Sequence, residues 1–184
     1  MPVPLKLVLN LVAVGLVAAL VALFAWQQVH NRHAAIPSGK TNVAAPKFAL
    51  ERLDGKGTLS LAALHGKPVI VNFWATWCEP CKKESRELEA TWRRYRSQGL
   101  VVVGVDTDDF KGDVAGFAKR YGLTYPVLLR GDATSVDFGV SGLPESFFVD
   151  PRGRVVWHIA GGINASDEFH ASFEQGLHAL LPRT

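Results

Sequence analysis

Val69-Ile70-Val71-Asn72-Phe73-Trp74-Ala75-Thr76-Trp77-Cys78-Glu79-Pro80-Cys81 is the stretch on which the reading of the chain turns. An apolar run, residues 69–74, is followed at once by the two cysteines of the 184-residue chain, two residues apart. On a strand-to-helix turn that spacing lets the two sulfurs close a small ring. It also sets the first sulfur at a helix N-terminus, where unpaired backbone N–H groups favour a thiolate. A thiolate attacks disulfides and a neutral thiol does so poorly, so the pattern points to a redox dithiol that passes electrons between thiols.

Plainer readings of the pair fit less well. A structural bridge across two residues closes almost no loop and constrains the unfolded chain little. A zinc site needs four ligands, yet there is no second cysteine pair. None of His30, His33, His65, His158, His170 and His178 stands at a usual ligand spacing near a cysteine. No metal or cofactor is expected. Pro80 falls in the first helical turn, where a missing N–H costs nothing. Glu79 complements the helix dipole, but its charge beside Cys78 opposes the thiolate and tilts the pair towards being a reductant.

The segment from Val71 to Glu84 closely resembles the active-site segment of membrane-anchored, extracytoplasmic thioredoxin-like proteins of the TlpA/ResA type, including the cytochrome c maturation thiol-disulfide reductases. Downstream, Gly139-Val140-Ser141-Gly142-Leu143-Pro144-Glu145-Ser146-Phe147-Phe148-Val149-Asp150 resembles that family's cis-proline segment. The resemblance covers about residues 45–181. It implies a cis bond before Pro144, facing the dithiol and exposing the backbone of Leu143 as an edge for a substrate peptide. It also gives an acid at the Glu84 position an influence on cysteine titration, and it matches Glu145 to a glutamate of the cytochrome-maturation members. From the residues alone, Glu84 lies one turn beyond Cys81 and can face it, or pair on the surface with Lys82 or Lys83. For Glu145 a plain surface position is the alternative. Trp74 is expected in the core, while Trp77 shields the reactive cysteine and offers partners an apolar landing surface. The candidate catalytic set is thus Cys78, Cys81, Pro144 and Glu84, with Trp77, Glu79, Pro80, Leu143 and Glu145 binding substrate or tuning the pair.

Residues 7–26 are apolar apart from Asn10 and Gly15, long enough for a bilayer helix. A cleaved signal peptide is the competitor, but Leu23-Phe24-Ala25 puts leucine where a small residue is preferred. The expectation is a signal-anchor helix over residues 5–26, a linker over residues 27–46 holding Pro37, Ser38, Gly39 and Pro46, and a thioredoxin-like domain over residues 47–184. A lone, dedicated cysteine pair fits the extracytoplasmic side of a cell membrane crossed once. Lys6, Arg32 and Lys40 account for the whole net charge of +3, because the other 17 Lys and Arg match the 17 Asp and Glu. A neutral domain with no basic face gives no support for nucleic-acid binding.

The remaining pattern predicts a three-layer α/β fold around a mixed sheet. Strands are expected at residues 48–53, 69–74 and 100–105, and a hairpin at residues 147–149 and 155–159 across Asp150-Pro151-Arg152-Gly153. Helices are expected at residues 59–64, 79–97, 113–121 and 166–181. The chemistry expected is reduction of client disulfides. By resemblance, a membrane protein supplies the electrons and apocytochrome c is a client. A thiol oxidase or isomerase, a peroxidase, and a module that only holds clients are the competing functions. The threonine and proline expected upstream of a peroxidatic cysteine are not so arranged at Thr76.

Overall fold

A computed structural model describes residues 4–30, 35–107 and 110–181, with side chains throughout except at residues 5, 7–9 and 27–30. The chain divides into two compact units, Met1–Ala34 and Ala35–Thr184. The first holds one helix, α1 (Leu5–His30), of 26 residues. Its described apolar side chains, among them Leu11, Leu20 and Phe24, are well exposed. Among the described residues no helix is long and apolar enough to cross a membrane. The membrane-spanning role of residues 5–26 therefore rests on the sequence.

The second unit begins with β1 (Gly39–Ala44), inside the expected linker. Arg154 donates to the Asn42 side chain and carbonyl, and the strand pairs antiparallel from Gly39↔His158 to Ala44↔Arg154. The tether reading of residues 27–46 fails from residue 39 on, and residues 31–34 lie outside the described residues. A polar edge strand with mostly exposed side chains leaves no apolar alternation to read. Next come β2 (Ala49–Glu51) and β3 (Thr58–Ser60), a small separate hairpin, then a 3₁₀ turn at Ala62–Leu64. The expected strand at residues 48–53 is thus shorter, and the expected helix at residues 59–64 is half strand.

The frame follows the apolar runs. β4 (Val69–Trp74) leads into α2 (Glu79–Tyr95), then β5 (Val101–Asp106) and α3 (Lys111–Tyr121). β6 (Val127–Leu128) and α4 (Asp132–Phe138) follow. The chain closes with β7 (Glu145–Val149), β8 (Arg154–Ala160) and α5 (Asp167–Leu180), whose N-cap Ser166 accepts from the Phe169 N–H. The main sheet runs β1-β8-β7-β4-β5-β6. β4 pairs parallel with β5 and antiparallel with β7, so the sheet is mixed. All six residues of β4 and of β5 are buried, as expected for strands covered on both faces.

Period-2 alternation splits the core in two. Ile70, Trp74, Val102 and Phe148 face Leu88 of α2, Phe117 of α3 and Phe173 and Leu177 of α5. Val69, Val71, Phe73 and Phe147 face Phe138 of α4, Phe48 and Leu64. The dithiol belongs to the first layer.

Gly104 marks how tightly that layer closes. A Cβ there would stand 2.8 Å from Trp74 Nε1 and 2.9 Å from Tyr125 Cε2, both on buried rings. Gly104→Ala is expected to lower stability by about 1–3 kcal/mol, read as a lower urea midpoint with an unchanged m-value.

Candidate active site

The site grows from the β4–α2 junction. β4 ends at Trp74, the chain turns through Ala75-Thr76-Trp77, and Cys78 becomes the N-cap of α2. Pro80 fits because it stands in the first turn. The Cys78 sulfur accepts from the Cys81 N–H at 3.2 Å, one of the donors a helix start leaves unpaired. Cys78 and Cys81 are disulfide-bonded, with Cα atoms 5.3 Å apart. The two sulfurs converge as expected.

Both cysteines are almost closed to solvent. Cys78 is 4% and Cys81 1% exposed, so the first sulfur shows only a sliver of surface in the oxidised pair. Trp77 is 62% exposed and supplies the open apolar surface beside it. Glu79 is solvent-facing and ion-paired with Lys82. The Lys82 hydrogen bond and charge hold its carboxyl below the ordinary range. That pairing offsets the charge expected to oppose a Cys78 thiolate.

Glu84 is not a surface residue. It is 1% exposed, and Asn72 Nδ2 donates to one of its oxygens at 2.8 Å while the Ile163 N–H donates to the other at 3.0 Å. Asn72 also donates to Ser146 Oγ. Burial pushes the Glu84 carboxyl up to about 7, against the pull of the Ile163 and Asn72 hydrogen bonds, with Glu87 adding to the rise. A side-chain carbon on Gly162 would stand 3.3 Å from Pro80 Cβ, 3.8 Å from Pro144 Cγ and 3.9 Å from Glu84 Oε2. Both proline rings and the Glu84 carboxylate therefore surround one point beside the α2 N-terminus.

The Leu143–Pro144 peptide is cis. Pro144 is held by the Gly161 N–H donating to its carbonyl at 3.0 Å. Among the described residues the Leu143 backbone makes no backbone hydrogen bond, and its side chain is half-buried against the core.

Glu145 is also buried, but with Phe147 on the opposite face of β7 from Ser146, and so away from the layer that holds the dithiol. One of its oxygens accepts from Ser141 N at 2.9 Å, Ser141 Oγ at 3.1 Å and Gly142 N at 3.2 Å. The other contacts His158 Nε2 at 2.8 Å. Burial raises its pKa, but the His158 and Ser141 contacts outweigh that and hold the carboxyl below its ordinary range. The plain surface position is corrected: Glu145 lies inside and hydrogen-bonds the loop before Pro144. Sequence reading missed Asn72, His158 and Ile163, whose partners lie 12 to 79 residues away. The polar Asn72 inside an otherwise apolar strand was the one available signal.

Among the described residues no cluster of His, Cys, Asp or Glu is arranged to hold a metal. A groove of about 530 Å³ between Phe48, Leu64, Val69 and Val149 lies at the far end of β4 from the dithiol.

The raised Glu84 carboxyl makes stability depend on pH. The unfolded chain loses this proton near pH 4.3, whereas the folded protein keeps it until about 7. Stability is fullest below the lower value, falls as pH rises between the two, and is flat above. The disulfide form is expected to lose up to about 3 kcal/mol between pH 4.5 and 7.5 by this route. Glu84→Gln is expected to flatten that slope in urea titrations, and an unchanged slope contradicts the assignment.

Comparison with known proteins agrees with the geometry. Residues 41–158 match the AhpC/TSA family. The chain is 39% identical over 137 residues to thiol-disulfide oxidoreductase ResA of Bacillus subtilis, covering 72% of this chain and 76% of that protein. It is 32% identical over 178 residues to ResA of Geobacillus thermodenitrificans, covering 96% and 97%. A solved thiol:disulfide interchange protein of the thioredoxin family from Chlorobium tepidum superposes with a TM-score of 0.66 at 31% identity, covering 77% of this chain and 97% of that one. With its CxxC pair closed at the head of α2, the chain belongs to the AhpC/TSA family, in its TlpA/ResA-type thioredoxin-like branch, and is a thiol-disulfide oxidoreductase.

Proposed function

We propose that the protein reduces disulfides of extracytoplasmic client polypeptides, apocytochrome c among them, while anchored by residues 5–26 and recharged by a membrane electron donor. The observation that carries this reading is the Cys78 sulfur at the head of α2, accepting the Cys81 N–H at 3.2 Å, with the Pro80 and Pro144 rings gathered around Gly162. A donor aimed at that sulfur stabilises it as an anion.

In this reading the Cys78 thiolate attacks one sulfur of the client disulfide. The other client sulfur leaves as a thiolate and takes a proton. Cys81, one turn inside the helix, loses its proton and attacks the Cys78 sulfur. The Cys78–Cys81 bond forms, the mixed disulfide breaks, and the second client thiol is released. Two electrons and two protons pass to the client. Glu84, a turn from Cys81 with a carboxyl pushed up to about 7, suits the role of accepting the Cys81 proton. Trp77 and the Leu143 backbone provide the apolar and hydrogen-bonding surfaces for the client. The anchor confines the domain to a plane shared with membrane-bound partners and so raises their effective concentration. Its support is the apolar run of residues 7–26 within a continuous helix.

Cys78→Ser is expected to abolish disulfide reduction. Cys81→Ser is expected to accumulate mixed disulfides with clients, isolated from membranes and identified by mass spectrometry, apocytochrome c being recovered among them. Full turnover by Cys81→Ser sinks the two-thiol scheme. The reduction potential separates reductase from oxidase. It is expected near the roughly −270 mV of thioredoxin-type reductants, and a value near the roughly −120 mV of strong oxidants reverses the direction. Removing residues 1–34 is expected to release the domain from sedimented membranes.

A further inference from the structure

His158 lies in β8 opposite Phe147 of β7 and is 4% exposed. Its ring stacks on the Phe147 ring, with centroids 4.2 Å apart and planes 5° from parallel. Its Nε2 sits 2.8 Å from Glu145 Oε2, while its buried Nδ1 has no hydrogen-bond partner among the described residues. The tautomer follows from the partner. Glu145 already accepts three hydrogen bonds from Ser141 and Gly142 on its other oxygen, and its carboxyl is held below the ordinary range. It is an acceptor throughout, so His158 Nε2 carries the proton and donates.

This contact joins two otherwise separate parts. On one side is the rigid β7–β8 pair, with His158 locked by stacking and by strand register. On the other is the exposed Ser141-Gly142 loop, whose two N–H groups have Glu145 as their partner. Without the His158 donor, a carboxylate 2% exposed would lose the hydrogen bond that fixes its second oxygen among the described residues. A buried carboxylate left partly unsatisfied reorients or shifts towards water. The residues it would release immediately precede Leu143-Pro144.

We propose that His158 is a positioning residue for client binding. By donating to one oxygen of Glu145 it fixes the other over Ser141 and Gly142, and so holds in place the Leu143–Pro144 edge on which a client polypeptide pairs. The inference rests on the client-reductase reading and adds to it a residue that touches neither client nor dithiol. It separates from a purely structural role because a small disulfide reaches Cys78 without pairing along that edge.

The test uses the full-length reduced protein and the second-order rate constant of its oxidation, followed by tryptophan fluorescence. One oxidant is a linear peptide carrying an internal disulfide, the other is hydroxyethyl disulfide. The readout is the ratio of the two rate constants. In His158→Leu, which removes the donor, the ratio is expected to fall about tenfold, the scale of a lost hydrogen bond to a charged group. In His158→Gln, whose amide places an N–H where Nε2 stood, it is expected to stay within about threefold of wild type. His158→Asn places its amide short, at the Nδ1 position, and is expected to behave like His158→Leu; it decides the matter with His158→Gln if the leucine variant does not fold. Faster hydrogen exchange at the Ser141 and Gly142 amides is expected to accompany the loss. An unchanged ratio in the leucine or asparagine variant, or an equal fall in the glutamine variant, overturns the inference alone. A wild-type ratio near one overturns the client reading and this inference with it.

Discussion

The hydrogen bond from the Cys81 amide to the Cys78 sulfur is the constraint on which the site depends. It exists because β4 ends in the sheet interior and hands the chain directly to a helix whose first cap is a cysteine. The strand supplies rigidity from both faces, the helix supplies unpaired donors, and Pro80 adds a residue that needs no donor of its own. The rest of the molecule positions groups relative to that junction. The dithiol is part of the packed layer that also holds Trp74, Leu88 and Phe117, so displacing either sulfur requires disturbing a core.

Two buried carboxylates flank β7 on opposite faces, and the difference between them is instructive. Glu84 receives one donor on each oxygen and sits among apolar neighbours, so burial dominates and its proton is held to about pH 7. Glu145 receives several donors, and these outweigh burial and keep it ionised. The first is equipped for proton movement near neutrality. The second is equipped to hold a loop still. Identical side chains acquire different chemistry from the count and placement of N–H groups around them.

Much of this was legible in the sequence, and the reasons are physical. β4, α2 and β5 announce themselves because six-residue apolar runs and a proline-primed helix leave few alternatives. The β7–β8 hairpin follows from Asp150-Pro151-Arg152-Gly153, where the Gly153 N–H donates to the Asp150 carbonyl. β1 was hidden because Gly39–Ala44 is a polar edge strand defined by its partner rather than by its own pattern. β6 and α4 were hidden by length, at 2 and 7 residues. The cysteine pair and the position of Pro144 were readable from local motifs. The environments of Glu84 and Glu145 were not, because Ile163 lies 79 residues beyond the first and His158 meets the second only across a strand pair. The burial of Cys78 was not readable either, because a helix cap can point its side chain inward, towards its own first turn.

The cap geometry therefore predicts an order of reactivity built into one helical turn: the sulfur at the cap is the nucleophile, and the one inside is reserved for resolution. The most direct test is to reduce the full-length protein, expose it to substoichiometric iodoacetamide, and map the label by peptide mass spectrometry. Cys78 is expected to carry the label, with Cys81 alkylated at least roughly tenfold more slowly, because the helix-cap donor favours the thiolate at Cys78. Equal labelling of the two cysteines, or preferential labelling of Cys81, would contradict Cys78 as the nucleophile.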